Sequence, residues 1–311
     1  MLVAIPVLWG VTFLTFIVMN ALPGDAATEL VGANAPSGAL AAVKARLGLD
    51  QSVWVRYGRW LDQVVVHHSL GRSLVGNESV GSVIGARFPL TFELAAYAFL
   101  LALVFSVPTA VLAARRPGGI GDRVSMMISM AGLSVAPFVL ALVLILVLSV
   151  QLRVFPAIYP TSGRGVFGTL YNLFMPALAF AFPLFCFFTR FLRAEILDQM
   201  MREDYIVAAR AKGVSESRLL VRHAMRNSLF GFLTVVGVNV GTLIAGTVVV
   251  EAIFSIPGLG QELLTAISDR DLPVVQGIVL IYACFAVFAN LLTDVLYGLV
   301  DPRIRYGRST V

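Results

Sequence analysis

Apolar residues run along this chain in long, unalternating stretches separated by short polar intervals. A bilayer-crossing helix takes about 20 mostly apolar residues. Six stretches meet that length: roughly Leu2–Leu22, Thr91–Ala114, Val124–Leu152, Leu173–Leu192, Leu229–Ile253 and Val274–Val300. Continuous aliphatic runs predict helices rather than the alternating strands of an outer-membrane barrel. The first run lacks the basic flank of a signal peptide and exceeds the apolar core of one. Because the chain starts almost inside that helix, either a further N-terminal extension carrying Arg or Lys or a misassigned start is expected. The interval Pro23–Leu90 is too long to be structureless. Within it Ser37–Leu47 and Val53–Val66 show helical apolar spacing, predicting short interfacial helices. Trp54, Tyr57 and Trp60 share one face there, suited to a headgroup-level belt or a partner contact. The expected division is residues 1–22 as the first transmembrane helix and 23–90 as an outer segment with short helices. Residues 91–300 form a five-helix core with a charged connection at 193–228, and 301–311 a tail.

Composition fits this pattern. Apolar residues make up 58% of the 311 positions and charged residues 13%. Soluble domains run near ~45–50% and ~25%, so this chain could not cover a water-facing surface of its size. Basic residues set its orientation. One set of short connections and ends, including Arg115, Arg116, Arg123, Arg303, Arg305 and Arg308, holds thirteen Arg and Lys. The alternate set holds three, Arg153, Arg164 and Arg270. The richer set is expected in the cytoplasm, which puts both termini inside and residues 23–90 outside.

Several chemistries lack their residues. Neither lysine, Lys44 or Lys212, sits in a G-x-x-x-x-G-K-[ST] phosphate loop. No G-x-S-x-G, H-E-x-x-H or C-x-x-C occurs. Cys186 and Cys284 lie in apolar runs, and the three histidines have no ligand spacing, so no metal site is expected. Glu93, Glu251, Asn290 and Asp294 are read as buried structural polar groups, Asp294 within reach of Arg190 or Arg193. Charges at membrane depth are costly and face protein or water. A proton relay would need a chain of such groups, and none is visible.

The connection 193–226 carries twelve charges and reads as two helices with a break. Asp204 is expected to cap Tyr205–Lys212, and Gly213 to end that helix in the left-handed conformation. Ser215 starts a second helix carrying Arg218, Arg222 and Arg226. Small Ala208, Ala209 and Ala211 would let another surface approach closely. Elsewhere, Gly237-x-x-x-Gly241 permits close helix contact, and Phe254–Gly260 is rich in turn residues.

The string Asp204-Tyr205-Ile206-Val207-Ala208-Ala209-Arg210-Ala211-Lys212-Gly213 resembles the EAA loop of ABC importer permeases. Further matching strings are its continuation Val214 through Leu229, Leu22-Pro23-Gly24-Asp25, Leu47-Gly48-Leu49-Asp50, Leu70-Gly71-Arg72-Ser73, Glu251 through Gly260, Asn290 through Asp294, and Asp301-Pro302-Arg303-Ile304-Arg305. Together they span nearly the whole chain and look like the B-type permease subunit of dipeptide and oligopeptide importers. Val207 stands where the broad EAA pattern has Glu, and His223 and Arg226 replace its Ile and Pro.

The resemblance implies an all-α polytopic membrane protein of six helices with type I importer architecture, in the bacterial inner membrane. It implies that Glu203, Asp204, Tyr205, Ala208, Ala209, Arg210, Ala211, Lys212 and Gly213 couple to an ATPase. Gly237, Asn239 and Gly241 would form a permease–permease seam or line the pathway. Phe254, Pro257, Gly258 and Gly260 would dock a binding protein. Implied partners are a second permease, one or two P-loop ATPase subunits, an extracytoplasmic substrate-binding protein and membrane lipid, but no nucleic acid. The chain would bind no cofactor and catalyse nothing itself, ATP and Mg²⁺ belonging to the ATPases. A nickel or other solute importer would look alike. A stand-alone channel, a proton-coupled carrier or a membrane enzyme would need groups not seen here.

Overall fold

The computed structural model describes residues 4–21, 27, 37–48, 50–160 and 165–300, with the backbone alone at 37, 39, 40, 46, 47, 166, 294 and 296–300. The helices are α1 (Ala4–Ala21), α2 (Ser37–Leu47), α3 (Val53–Val65), α4 (Val80–Arg115), α5 (Ile120–Ser134) and α6 (Pro137–Gln151). There follow α7 (Gly165–Arg202), α8 (Asp204–Ala211), α9 (Glu216–Phe254), α10 (Leu259–Ser268) and α11 (Leu272–Val300). Among the described residues no strand forms; Arg72 and Ser79 make an isolated bridge. Five helices, α1, α4, α7, α9 and α11, are long and apolar enough to cross a membrane, and α5 with α6 makes a sixth span if the bent pair is counted as one. Exposed Leu100, Val104, Phe105 and Leu112 on α4 suit lipid contact.

The spans depart from the sequence expectation where local chemistry overrides hydropathy. The second starts at Val80, not Thr91. Ser79 Oγ accepts the Ser82 N–H, capping the added turns. Arg87, too polar for a span by composition, is ion-paired with Glu262 at 2.8 Å. The third is two helices bent by 105° rather than one. Val135 and Ala136 are extended and Pro137 opens α6. Proline excludes the α conformation from the residue before it and lacks the N–H that would continue the helix. The fourth extends through Arg202 and the fifth begins at Glu216. The supposed long connection is therefore only α8 and its flanking turns. Residues Leu219–Ala224 of α9 are π-helical, so the arginines at 218, 222 and 226 do not follow one α-helical stripe. Helix α10 was not expected from the sequence.

The chain forms two compact units. One comprises Met1–Phe92 with Ser255–Val287. Its core joins Val80, Val83 and Ile84 to Leu259, Val274, Val275 and Ile278. A second cluster sets Phe16 of α1 against Tyr57 and Trp60 of α3, and Thr12 Oγ1 lies 3.0 Å from Tyr57 Oη. Tyr57 and Trp60 are thus buried against α1, and of the expected aromatic belt only Trp54 is strongly exposed. The other unit comprises Glu93–Phe254 with Phe288–Val311. In it α7 is the central helix, packed on α5, α6 and α9. Gly132 makes room for that packing: a Cβ there would stand 2.4 Å from Cys186 Sγ.

Candidate functional site

Helix α8 is short, and eight residues do not hold a helix in water. Its stability comes from its ends and one buried side chain. Glu203 occupies the N-cap in extended conformation, and Asp204 lies in the first turn rather than capping as expected. A carboxylate in that turn favours the N-terminal end of the helix dipole. At the other end Gly213 has φ +81°. Its N–H donates to the Arg210 carbonyl at 3.0 Å, and the Val214 N–H donates to that of Ala209 at 3.3 Å. This pair of bonds is the Schellman closure, which favours glycine at that position. Arg210 then reaches across the turn to Glu216, with Nε to Oε1 at 2.6 Å and Nη2 to Oε2 at 3.2 Å. The paired carboxylate raises the Arg210 pKa further. Ser215 precedes α9 at its N-cap without a side-chain capping bond.

Two contacts tie α8 to the long helices. Ile206 is fully buried, and α8 packs on the π-helical stretch of α9, where Leu219, Leu220 and Ala224 are also buried. Tyr205 Oη donates to Gln199 Oε1 of α7 at 2.6 Å and accepts from Asn227 Nδ2 of α9 at 2.9 Å. Burial raises the Tyr205 pKa, with a smaller contribution from the Glu203 carboxylate, against the lowering effect of Asn227. One hydroxyl therefore bridges both spans through α8. Exposed on the other side are Asp204, Val207, Ala208 and Ala211, spaced i, i+3, i+4, i+7. Arg210, Lys212 and Gly213 are exposed as well, whereas Ala209 is half-covered.

A second anchor was missed in the sequence. Asp122 of α5 is buried and forms a bidentate pair with Arg193 of α7, at 2.5 and 2.7 Å, and accepts the Gly118 N–H at 2.8 Å. Seventy-one residues separate the partners, so no local pattern reveals them. Arg193, expected near Asp294, is committed here; the Asp294 side chain lies outside the described residues. Beside this pair a cleft of about 590 Å³ is lined by Arg115, Arg116, Asp122 and Ser217.

The other expected site residues are dispersed. Gly237 faces Thr293 of the same chain so closely that a Cβ would stand 2.3 Å from Thr293 Cγ2. This glycine makes room for packing of α9 on α11 within the chain. Gly241 is buried, and Asn239 Nδ2 donates to the Val235 carbonyl at 2.8 Å. Of the expected docking residues, Phe254, Gly258 and Gly260 are buried, and Pro257 is exposed. Gly258 starts α10, and the Leu259 N–H donates to buried Thr91 Oγ1 at 2.8 Å. Burial there follows from a helix start packed into the fold. Glu251 is fully buried and accepts from Thr247 Oγ1 at 2.8 Å. Glu93 and Asn290 are exposed, contrary to the expectation of buried polar groups: among the described residues no element covers their helix faces.

These features define a helical membrane component in which α8 is a tightly framed surface element. Residues 106–306 match the family of binding-protein-dependent transport system inner membrane components, and residues 1–95 match its N-terminal family. A permease protein of Brucella abortus is 40% identical over 97% of this chain and 96% of its own length. The oligopeptide transport system permease protein of Bacillus subtilis is 37% identical over 98% and 97%. The di/tripeptide transport system permease protein of Pseudomonas aeruginosa is 38% identical over 98% and 96%. The chain belongs to the family of inner membrane permease components of binding-protein-dependent ABC importers.

Proposed function

We propose that this chain is a permease subunit of an ATP-driven peptide importer. It forms half of the translocation pathway beside a second permease, and α8 seats in a cytoplasmic ATPase subunit. The peptide assignment rests on relatives named for oligopeptide and di/tripeptide transport. The excess of arginine and lysine in one set of short connections supports a cytoplasmic α8 and cytoplasmic termini. ATP and Mg²⁺ bind the ATPases, since this chain has no phosphate loop, and an extracytoplasmic binding protein delivers the substrate.

The observation that carries the reading is the asymmetry of α8. One side is locked to α7 and α9 through Tyr205 and Ile206, while Val207, Ala208 and Ala211 stay open to a partner. A lever needs both properties, because slack between the gripped helix and the spans would absorb the ATPase movement. The test is Ala208→Trp in the reconstituted complex of both permeases, ATPases and binding protein. Peptide-stimulated ATP hydrolysis is expected to fall at least about tenfold, equal to about 1.4 kcal/mol of lost coupling, with the permease still folded. Full stimulation in this variant would remove α8 from the coupling role. Uptake of labelled di- and tripeptides into proteoliposomes tests the substrate, and nickel uptake in their place would reassign it.

A further inference from the structure

Helix α3 carries Arg56, Arg59 and Trp60 at i, i+3 and i+4, on one face. All three line a cleft of about 470 Å³, together with Phe16 of α1, Arg72 and Gln276 of α11. Three guanidinium groups therefore share one concavity, and among the described residues no carboxylate lines it. The neighbouring Asp271 is already occupied, accepting from Ser73 Oγ and from the Leu74 N–H. Arg56 Nη1 donates to Asn20 Oδ1 at 2.8 Å and its guanidinium lies 5.7 Å from the Phe16 ring centroid. Neither contact neutralises it, and burial lowers its pKa. Among the described residues none of the three arginines has an acidic partner.

The cleft's buried polar groups point the same way. Gln276 is 0% exposed, and both its amide atoms lack a hydrogen-bond partner. Trp60 Nε1 is also buried without an acceptor. Buried polar groups in folded proteins are almost always paired, and the two orphan donors at this cleft, Gln276 Nε2 and Trp60 Nε1, call for a ligand that supplies acceptors. Three guanidiniums and an indole N–H suit a group with several negative oxygens, which arginine binds bidentately. The cleft also lies at the ends of two apolar helices, beside Phe16 late in α1 and Leu272 at the start of α11. Such ends meet the headgroup layer, where phosphates are concentrated.

We propose that this cleft is a phosphate-binding site, filled by an anionic phospholipid headgroup or by phosphate from solution. Its test uses the intact importer complex purified into nanodiscs of phosphatidylglycerol and phosphatidylcholine. Arg59 and Arg72 are exposed, so Arg59→Gln/Arg72→Gln leaves the packed core untouched; an unchanged melting temperature in phosphatidylcholine alone checks this. Native mass spectrometry should show phosphatidylglycerol retained about tenfold more by the parent than by the double variant, with retention recovered in Arg59→Lys/Arg72→Lys. Gln276→Leu should also lower retention, which an amide serving only internal packing would not do. A parallel arm adds inorganic phosphate against chloride at matched ionic strength. A melting shift in the parent that the double variant lacks, with phosphatidylglycerol displaced, identifies the solution source; retained lipid and no shift identifies the headgroup. Equal lipid retention in parent and variants, with no phosphate-dependent shift, overturns the proposal.

Discussion

Gly237 and Tyr205 each carry a structural task set by their side chain, or its absence. At Gly237 a methyl group would overlap Thr293. Gly237→Ala is therefore expected to destabilise the chain by about 1–3 kcal/mol, the usual cost of overpacking. Thr293→Ala removes the two nearest atoms and should return part of that loss in the double variant. Melting temperatures of the four forms check this, and simple additivity would contradict the contact. Tyr205→Phe deletes both bonds of the bridging hydroxyl and should cost about 1–3 kcal/mol locally. Hydrogen exchange over residues 204–211 should speed up while α7 and α9 keep their protection. The bridge also has a defined pH limit. Burial first, then the Glu203 carboxylate, raises the Tyr205 pKa above its ordinary value of 10.0. A raised pKa means that the folded state favours the protonated hydroxyl. That contribution is complete below about pH 10 and is lost as pH rises through the folded value. Protection of α8 that does not vary with pH across the neutral range, and falls only in strong alkali, is the expected profile.

At the scale of elements, α8 stands or falls with Ile206. Ile206→Ala empties a fully buried position and should cost about 2–5 kcal/mol, more than an eight-residue helix can lose and stay formed. Exchange protection in 204–211 should vanish, and coupling should go with it. The glycine stop of this element at 213 was legible in the sequence as local chemistry, whereas its N-cap is Glu203, one residue before the expected Asp204. Helices α2 and α3 were legible too, because their apolar spacing is helical. The α5–α6 bend was not drawn from the sequence although Pro137 stands there; hydropathy alone treats the run as continuous, and only the backbone restriction before proline breaks it. The Asp122–Arg193 pair and the Tyr205 bridge were beyond reach because their partners meet only through packing. Burial of Phe254, Gly258 and Gly260 was missed because turn-rich composition marks a bend without telling whether it faces inward.

At the scale of the whole molecule, the coupling assignment requires α8 to lie on the side where ATP is found. Insertion follows the arginine and lysine content of short connections, and thirteen against three is a wide margin. Cysteine labelling reads the outcome directly. In a Cys284→Ala background the remaining Cys186 is buried, so introduced thiols dominate. Glu78 and Ser217 are both exposed and fall on opposite sides in the proposed orientation. A membrane-impermeant maleimide should label Glu78→Cys in intact cells, after passage through the outer envelope. Ser217→Cys should label only when the inner membrane is opened. The reverse pattern would put α8 outside, where no ATPase could grip it, and would end the lever reading however well α8 is framed. Labelling of both positions in intact cells would mean that the chain does not hold one orientation. The expected asymmetry joins the charge bias, the tethered helix and the family membership into one arrangement, in which the element most tightly fixed to two spans is also the one presented to the energy source.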